Sequence, residues 1–316
     1  MTADEQRLQK IFHPHAMRRT KEVKGHKRLV HYTGARAAMS IIQNAEVWMR
    51  NATCMNDYSE VQHGLECLAS AYRSESGQKL RKALDDWFPG FCKEFESLFD
   101  GWQSELRIGT YLLCVSEHEN DEDTLGRLSM WRAYGDATGV ALVMKAAPFF
   151  NESDALQAYT SPVAYLSAKG FEREFGALAG SILENAEFLR TLQREQISHL
   201  LFNAFLFAGL CTKHPGYVEE REWRVIHCPK LHPSERLVKA VEIVGGAPQV
   251  IYKIPLKDVP DEGLTGIEIA ELLDRLIIGP TEYPAATYDA FVELLRDAGV
   301  PNPEKRVCVS EIPLRR

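Results

Sequence analysis

The sequence predicts an α+β fold, in which short strands form split sheets of mixed or antiparallel pairing. Strand-like and helical runs do not alternate strictly along the chain, which disfavours a doubly wound parallel sheet. Neither Gly-x-Gly-x-x-Gly nor Gly-x-x-x-x-Gly-Lys-Ser/Thr occurs, which disfavours Rossmann and P-loop nucleotide binding. A long helical stretch lies between the strand-like runs, and we expect it to form a helical insertion at about residues 168–209.

Apolar periodicity and strand-forming runs predict the elements of the first half of the chain. Residues 1–28 are rich in arginine, lysine and histidine, which predicts a solvated N-terminal arm before a single domain over residues 29–316. After the arm we expect a strand at 29–33, a helix at 35–43, a short strand at 47–49, a mostly helical stretch at 61–87, a strand at 111–116, an acidic solvated loop at 118–124 and one helical turn at 129–134.

The second half combines a buried strand with a long helical segment. Residues 139–144 indicate a strand buried on both faces, and residues 162–166 indicate the strand that pairs with it. The apolar positions of residues 171–207 keep the helical period, which predicts one or two helices. The remaining predicted elements are strands at 223–228, 250–254 and 276–278, a helix at 288–298 ended by Gly299 and Pro301, and a last strand at 306–312.

Composition limits the classes of partner. Acidic residues exceed basic ones by 44 to 37, and the net charge of −7 gives no overall attraction to nucleic acid or anionic membranes. No apolar run reaches the length of a membrane span and no apolar signal core begins the chain. We therefore expect a cytoplasmic protein with no membrane partner.

The cysteines argue against a metal site. They number seven, are widely spaced and include no Cys-x-x-Cys, which predicts reduced and mostly buried thiols. Cys211 with His214, or His227 with Cys228, could supply zinc ligands, but no second pair lies at finger-like spacing. We expect no metal.

Three polar segments, each beside a strand-like run, indicate where chemistry takes place. A histidine at the end of a strand, a serine strand and a Glu-x-Glu strand together predict a cleft for a nicotinamide dinucleotide used as a substrate. The segments are His31-Tyr32-Thr33 followed by Met55-Asn56-Asp57, then Cys114-Val115-Ser116-Glu117, then Glu219-Glu220-Arg221-Glu222-Trp223-Arg224.

The order of the motifs resembles the bacterial domain-of-unknown-function family 2971. The resemblance covers about residues 29–280, and the family name implies no activity. It rests on the three segments above together with Ser129-Met130-Trp131-Arg132-Ala133-Tyr134, Gly139-Val140, Lys213 and Ile278-Gly279-Pro280.

A second resemblance, to the ADP-ribosyltransferase fold, bears on function. That fold holds NAD across a split between two small sheets, and its motif order is a histidine strand, a helix, a serine or tyrosine strand and a late glutamate strand. The resemblance implies that His31 hydrogen-bonds a ribose, that Ser116 or Tyr134 supports the nicotinamide, and that Glu222 or Glu220 fixes the nicotinamide ribose. Two departures are that no Ser-Thr-Ser follows the middle strand and that Trp-Arg follows the Glu-x-Glu.

These residue types suit cleavage of the nicotinamide–ribose bond, which develops oxocarbenium character on the sugar. A nearby carboxylate stabilises that charge. Glu220 and Glu222 are two residues apart on one predicted strand and would share a face with Arg224. One glutamate would then stabilise the positive charge, and the other would activate the acceptor nucleophile. Arg224 would hold a glutamate or a phosphate in a two-pronged bond. The other predicted NAD contacts are Tyr32, Thr33, Asn56, Trp131, Arg132, Tyr134 and Lys213, with Trp131 or Tyr134 stacking on a base.

Each candidate also has a purely structural interpretation. His31 can satisfy a buried carbonyl, Asn56-Asp57 can form an Asx-turn or a helix cap, and Trp131 and Tyr134 can be core anchors. The two glutamates and Arg224 can form an ion ladder on an edge strand.

The function we expect is an NAD-consuming enzyme of ADP-ribosyltransferase or NAD glycohydrolase type. Its acceptor could be protein, nucleic acid, a small molecule or water, and analogy with the fold suggests a toxin or a phage-defence effector. The alternatives are a hydrolase or transferase acting on another nucleotide or on nucleic acid, and a binding module without catalysis.

Overall fold

The chain divides into two compact units, each assembled from three segments. The computed structural model describes residues 2–23, 28–55, 60–135 and 137–313. The first unit comprises Met1–Lys21, Asn51–Thr110 and Ser161–Val218, and the second comprises Glu22–Arg50, Tyr111–Thr160 and Glu219–Arg316. Residues 29–316, predicted as one domain, are thus shared between two units. Helices and mixed sheets occur together, which confirms the α+β class.

The described helices and strands are as follows, and none of these helices is long and apolar enough to cross a membrane. The helices are α1 Ala3–Phe12, α2 Pro14–Val23, α3 Ala35–Asn44, α4 Glu60–Arg73, α5 Glu75–Trp87, α6 Phe91–Ile108, α7 Leu128–Tyr134, α8 Ala168–Glu184, α9 Ala186–Leu189, α10 Arg194–Leu210, α11 Ile269–Leu272 and α12 Pro284–Asp297. The strands are β1 Arg28–Gly34, β2 Glu46–Asn51, β3 Tyr111–His118, β4 Gly139–Lys145, β5 Tyr159–Pro162, β6 Ala164–Tyr165, β7 Thr212–Lys213, β8 Glu222–His227, β9 Val238–Val244, β10 Ala247–Pro255, β11 Leu273–Ile278 and β12 Val307–Val309.

The N-terminal segment is helical, so the predicted solvated arm at residues 1–28 is wrong for its described part. Thr2 and Glu5 form a reciprocal capping box at the start of α1, which satisfies two backbone N–H groups. Ile11 and Phe12 at its end are buried, each about 2% exposed. Charged composition concealed this short apolar anchor, because most of the helix surface is polar.

Helices make up most of the first unit, and aromatic rings fill its core. Phe91, Phe95 and Phe99 repeat every four residues along α6, which places them on one face of the helix. Phe95 and Phe99 meet Phe205 of α10 edge-to-face, with centroids 5.2 and 5.6 Å apart. The helices α8 and α10 confirm the predicted helical insertion, whereas α6 was not predicted.

The short strand β6 does not pair as expected. Ala164 and Tyr165 pair in parallel with Thr212 and Lys213 of β7. The buried strand β4 pairs instead with β1 and with β11, both antiparallel. The predicted pairing of residues 162–166 with 139–144 is therefore wrong, because two longer strands occupy both edges of β4.

A mixed sheet forms the framework of the second unit. Its strands follow the order β12-β11-β4-β1-β3-β2-β10-β9, and β8 pairs with β3 outside this path. The pair β11–β12 is parallel, and the pairs β1–β4, β1–β3, β3–β8 and β9–β10 are antiparallel.

The sheet separates two apolar layers. Leu29, Leu142 and Ile278 belong to a large cluster with α3 and α12, and we call this side the α3 face. Val30, Val143 and Ile277 belong to a smaller cluster with Met130 and Trp131 of α7, and we call this side the α7 face. Neighbouring strand residues alternate between the two layers, which explains why β4 is apolar at every position up to Met144.

Trp131 fixes α7 on its face of the sheet. Its side chain is fully buried and meets the ring of Tyr32 edge-to-face, with centroids 4.9 Å apart. Its Nε1 donates to the carbonyl of Leu125 at 2.8 Å. A β-carbon on Gly279 or Gly139 would lie 2.8 or 3.0 Å from this ring, so glycine at both positions allows the close approach.

We expect Trp131→Ala to lower the free energy of unfolding by about 3–5 kcal/mol, because a large buried side chain is replaced by a cavity. Denaturant unfolding monitored by circular dichroism measures the change. Tyr283→Ala is the matched control, since that ring is 69% exposed and its loss should change stability by less than about 0.5 kcal/mol. Equal effects of the two substitutions would contradict the anchoring role of Trp131.

Candidate functional site

The strand β3 is the centre of the candidate site, because other strands pair with both of its edges at Ser116. Ser116 lies opposite Val30 of β1 on one edge and opposite Glu222 of β8 on the other. The strand β1 pairs with β3 only over residues 28–30, although it continues beside β4 to Gly34. The strand β2 also pairs with β3, and it must share the edge used by β1 because β8 occupies the other edge. We call the place where β1 leaves this edge the branch point.

His31 lies at the branch point and has a defined tautomer. Its Nδ1 is 3.0 Å from the carbonyl oxygen of Cys114. A carbonyl can only accept, so Nδ1 carries the proton and Nε2 keeps a lone pair that can accept from another group. Burial lowers the pKa of His31 below its ordinary value of 6.5, and the bond to Cys114 opposes that effect only in part. The imidazole is therefore neutral near pH 7.

Glu222 and Arg224 form a buried ion pair on β8. Their residues are 6% and 1% exposed. Arg224 Nε donates to Glu222 Oε1 at 2.8 Å and Nη2 to Oε2 at 3.4 Å, which confirms the predicted shared face and two-pronged bond. Trp223 points to the opposite face, where its Nε1 donates to Glu117 Oε1 at 3.0 Å.

Glu220 does not share the strand of Glu222, and that part of the prediction is wrong. Glu220 ends a 3-10 helix at Pro215–Glu220, and Arg221 then has a positive φ of 44°. This left-handed residue turns the chain before β8 begins, so the two glutamates do not follow strand alternation. Glu220 Oε1 instead accepts from the hydroxyl of Tyr134 at 3.0 Å. The predicted ladder of both glutamates and Arg224 on an edge strand is wrong for the same reason.

Tyr32 and Trp131 are structural in this arrangement. The hydroxyl oxygen of Tyr32 accepts from the backbone N–H of Arg127 at 2.9 Å. Trp131 is fully buried and cannot stack on a base without local opening, so the interpretation of Trp131 as a core anchor is confirmed. Tyr134 is only partly buried.

Arg127 connects the loops beside these residues, and the sequence analysis missed it. Its Nη2 donates to the carbonyl of Glu117 at 2.7 Å, and its Nη1 donates to the carbonyl of Glu219 at 2.6 Å. Its Nε donates to Glu122 Oε1 at 3.0 Å. Burial raises the pKa of Glu122, but the hydrogen bond from Arg127 and a backbone hydrogen bond outweigh it, so the net pKa is lowered.

This network corrects the interpretation of residues 118–124 as a solvated loop. His118 is buried, and its Nε2 lies 2.9 Å from Asp123 Oδ1. Arg28 contacts the same carboxyl group, with Nη2 2.8 Å from Asp123 Oδ1. The one sequence signal was a run of carboxylates just before Arg127; the carbonyl partners of Arg127 leave no trace in a sequence.

The remaining predicted residues are dispersed. Thr33 is partly buried on β1 and Arg132 is exposed. Lys213 belongs to the first unit, where its Nζ lies 4.6 Å from the centre of the Tyr217 ring. Asn56 and the neighbouring Asp57 lie outside the described residues. Within the described ranges, no group of three or more histidine, cysteine or acidic side chains could hold a metal ion.

Strand register relates the two principal candidates to each other. Glu222 lies opposite Ser116, and Ser116 lies opposite Val30, so all three share the α7 face. His31 follows Val30 and, by alternation, belongs to the α3 face with Thr33. The two candidates nevertheless contact β3 within two residues of each other, at Cys114 and Ser116.

Part of this site lies in a segment that is similar to a known family. Residues 130–225 match the model of a family described as a protein of unknown function (DUF2971). The match includes Tyr134, Lys213, Glu222 and Arg224 and begins after His31, so the family resemblance is confirmed over a shorter range than residues 29–280. No curated protein and no solved structure matches the chain.

We expect Arg127→Lys to destabilise the protein by about 2–3 kcal/mol, because an ammonium group cannot replace a planar fork that donates to several oxygens at once. Chemical denaturation measures the loss. The same substitution at the exposed Arg132 is the control and should be nearly neutral. A neutral Arg127→Lys would show that the network contributes little to stability.

The lowered pKa of His31 predicts a dependence of stability on pH. The unfolded chain binds the proton first, so the stabilising contribution is complete above about pH 6.5 and is lost as the pH falls through 6.5 toward the folded-state value. His31→Gln should reduce the slope of unfolding free energy against pH below 6.5 by up to about 1.4 kcal/mol per pH unit.

Denaturant unfolding at a series of pH values tests this prediction. His199→Gln is the control for the loss of a histidine side chain, because that residue is exposed. An unchanged slope in His31→Gln would mean that the pKa of His31 is the same in the folded and unfolded chain, which would contradict the prediction.

Proposed function

We propose that this chain is an NAD-consuming enzyme of ADP-ribosyltransferase type whose site lies at the branch point beside β3. The observation that carries the proposal is that His31 and Glu222 contact β3 within two residues of each other, at Cys114 and Ser116. These are a histidine and a glutamate to which the resemblance to the ADP-ribosyltransferase fold gives the ribose contacts of NAD. The proposal requires that the ligand enter at the branch point, where β1 leaves the edge of β3.

The proposed reaction breaks the bond between nicotinamide and C1′ of its ribose. The bonding electrons leave with nicotinamide, which departs neutral, and positive charge develops on the ribose. An acceptor oxygen or nitrogen then bonds to C1′ and loses its proton. Water as the acceptor gives ADP-ribose, and a macromolecule gives an ADP-ribosylated product.

The two principal residues have properties that suit these steps. Glu222 is held by Arg224 through both carboxylate oxygens, so its negative charge has a fixed position and needs little rearrangement to stabilise a cation. His31 uses Nδ1–H on Cys114, so Nε2 is the nitrogen that would accept from a ribose hydroxyl. Ser116 lies opposite Glu222 on one edge of β3 and opposite Val30, the residue before His31, on the other edge.

A non-catalytic binding module is the second candidate, and one observation favours it. Arg224 already bonds both oxygens of Glu222 in a buried pair, as a structural ion pair would. A toxin or phage-defence role is an analogy with the ADP-ribosyltransferase fold, and the expected cytoplasmic location rests on the lack of an apolar signal core or membrane-length run; neither adds weight to either candidate.

Nicotinamide release separates these candidates. We expect purified protein to release nicotinamide from NAD, and Glu222→Gln to slow release by about 100-fold or more, because the developing charge loses its carboxylate. Chromatography of nicotinamide measures the rate, and thermal shift with and without NAD measures binding. Glu268→Gln makes the same chemical change at an exposed position of the second unit and should release nicotinamide at the wild-type rate.

Three other outcomes would count against the proposal. Equal rates in Glu222→Gln and wild type would remove Glu222 from the reaction. If NAD gives no nicotinamide release and also no thermal shift, a formed NAD site is excluded and another nucleotide is favoured. A large fall in melting temperature in Glu222→Gln, with no wild-type activity to lose, would favour the structural role of the ion pair.

A further inference from the structure

The strand β9 presents an unusual edge. It ends the strand order of the sheet, and β10 is its strand partner within the described ranges. Val238, Val241 and Ile243 are 57, 69 and 66% exposed. Its seven-residue register with β10 shows no bulge. Edge strands of soluble proteins are usually protected by charge, proline or bulges, because their unpaired backbone groups bind other strands.

The hairpin turn determines which backbone groups of β9 face outward. Gly245 and Gly246 both have positive φ, 59° and 83°, as the two-residue turn between β9 and β10 requires. Such a turn is closed by a hydrogen-bonded residue pair, here Val244 with Ala247. From there the residue pairs along β9 and β10 alternate between hydrogen-bonded and non-hydrogen-bonded pairs. The N–H and C=O groups of Lys239, Val241 and Ile243 therefore point away from β10.

We propose that β9 pairs antiparallel with β9 of a second copy of this chain, around a two-fold axis at Val241. In this register Val241 lies opposite the partner's Val241, and Lys239 lies opposite the partner's Ile243. All three outward-facing residues of each copy then exchange hydrogen bonds, about six in total. The exposed Val241 and Ile243 side chains come together across the axis, with the aliphatic stem of Lys239 against Ile243.

Charge selects this register and makes the strand complementary to itself. Glu242 lies opposite Ala240, so no like charges face each other. A shift in one direction places Glu242 opposite the partner's Glu242, which is unfavourable. A shift in the other direction takes Ile243 beyond the end of the partner's β9. A surface that matches itself around a two-fold axis produces a closed dimer, whereas an unrelated strand would need its own complementary pattern.

This interface is independent of the candidate site. The strands β2 and β10 lie between β9 and β3 in the sheet order. Pairing at β9 lengthens the sheet without using His31, Glu222 or Arg224. The inference therefore stands or falls separately from the proposed NAD chemistry.

Sedimentation velocity of the full chain over a concentration series tests the proposal. We expect the wild type to approach a mass of twice 35.7 kDa. Val241→Lys places two like charges across the axis, and Val241→Pro removes an outward N–H while leaving the bonds to β10. Each should weaken association by about 100-fold or more. Ile108→Lys changes another exposed apolar residue, 60% exposed in the first unit, and should leave association unchanged.

Melting temperatures close to that of the wild type will show that the Val241 variants remain folded. A wild type that stays monomeric throughout the series would overturn the proposal. Dimers that persist in both Val241 variants would place the interface elsewhere. The chain could instead stay monomeric and bind an added β-strand peptide at β9. That outcome would also rule out a second copy as the partner of β9.

Discussion

The satisfaction of one backbone carbonyl at the centre of the sheet constrains the second unit. Buried carbonyls need donors, and β1 pairs with β3 only as far as Val30. Beyond that point the ring of His31 donates to the carbonyl of Cys114. This bond joins β1 to β3 where their pairing ends, and it fixes which nitrogen of His31 carries the proton. Sheet geometry and imidazole chemistry therefore depend on each other at this position.

Two arginines stabilise the region next to that bond in different ways. Arg224 neutralises one buried carboxylate, at the desolvation cost that any buried pair carries. Arg127 uses its fork mainly on the backbone carbonyls of Glu117 and Glu219. A guanidinium group suits both tasks because its donors are planar, numerous and permanently charged. The protein itself therefore holds the polar groups near β3 in fixed positions.

Periodicity in the sequence predicts most of the regular elements, and the failures have identifiable causes. The helix α3, the strands β3 and β4 and the helices α8 and α10 have clear apolar repeats, and the structure contains them. The composition of residues 1–28 predicts a solvated arm and not the helix α1, because only the last two residues of α1 are both apolar and buried. The sequence predicts Glu220 on a strand because nothing in it reveals that Arg221 adopts a positive φ. No sequence pattern indicates the role of Arg127, because several of its partners are backbone carbonyls, which are common to every amino acid.

The interleaved order of the segments has a consequence for synthesis on the ribosome. The first unit has all of its segments once Val218 has been made, whereas the second unit still lacks everything from Glu219 onward. Until then β3 has no β8, β2 has no β10 and β4 has no β11. The nascent chain therefore carries several apolar strands with open edges for about a third of its translation, and such edges are prone to misassociation. A late shortage of charged tRNA or an early stop after Val218 would leave a helical unit with its residues complete, attached to a sheet that cannot close.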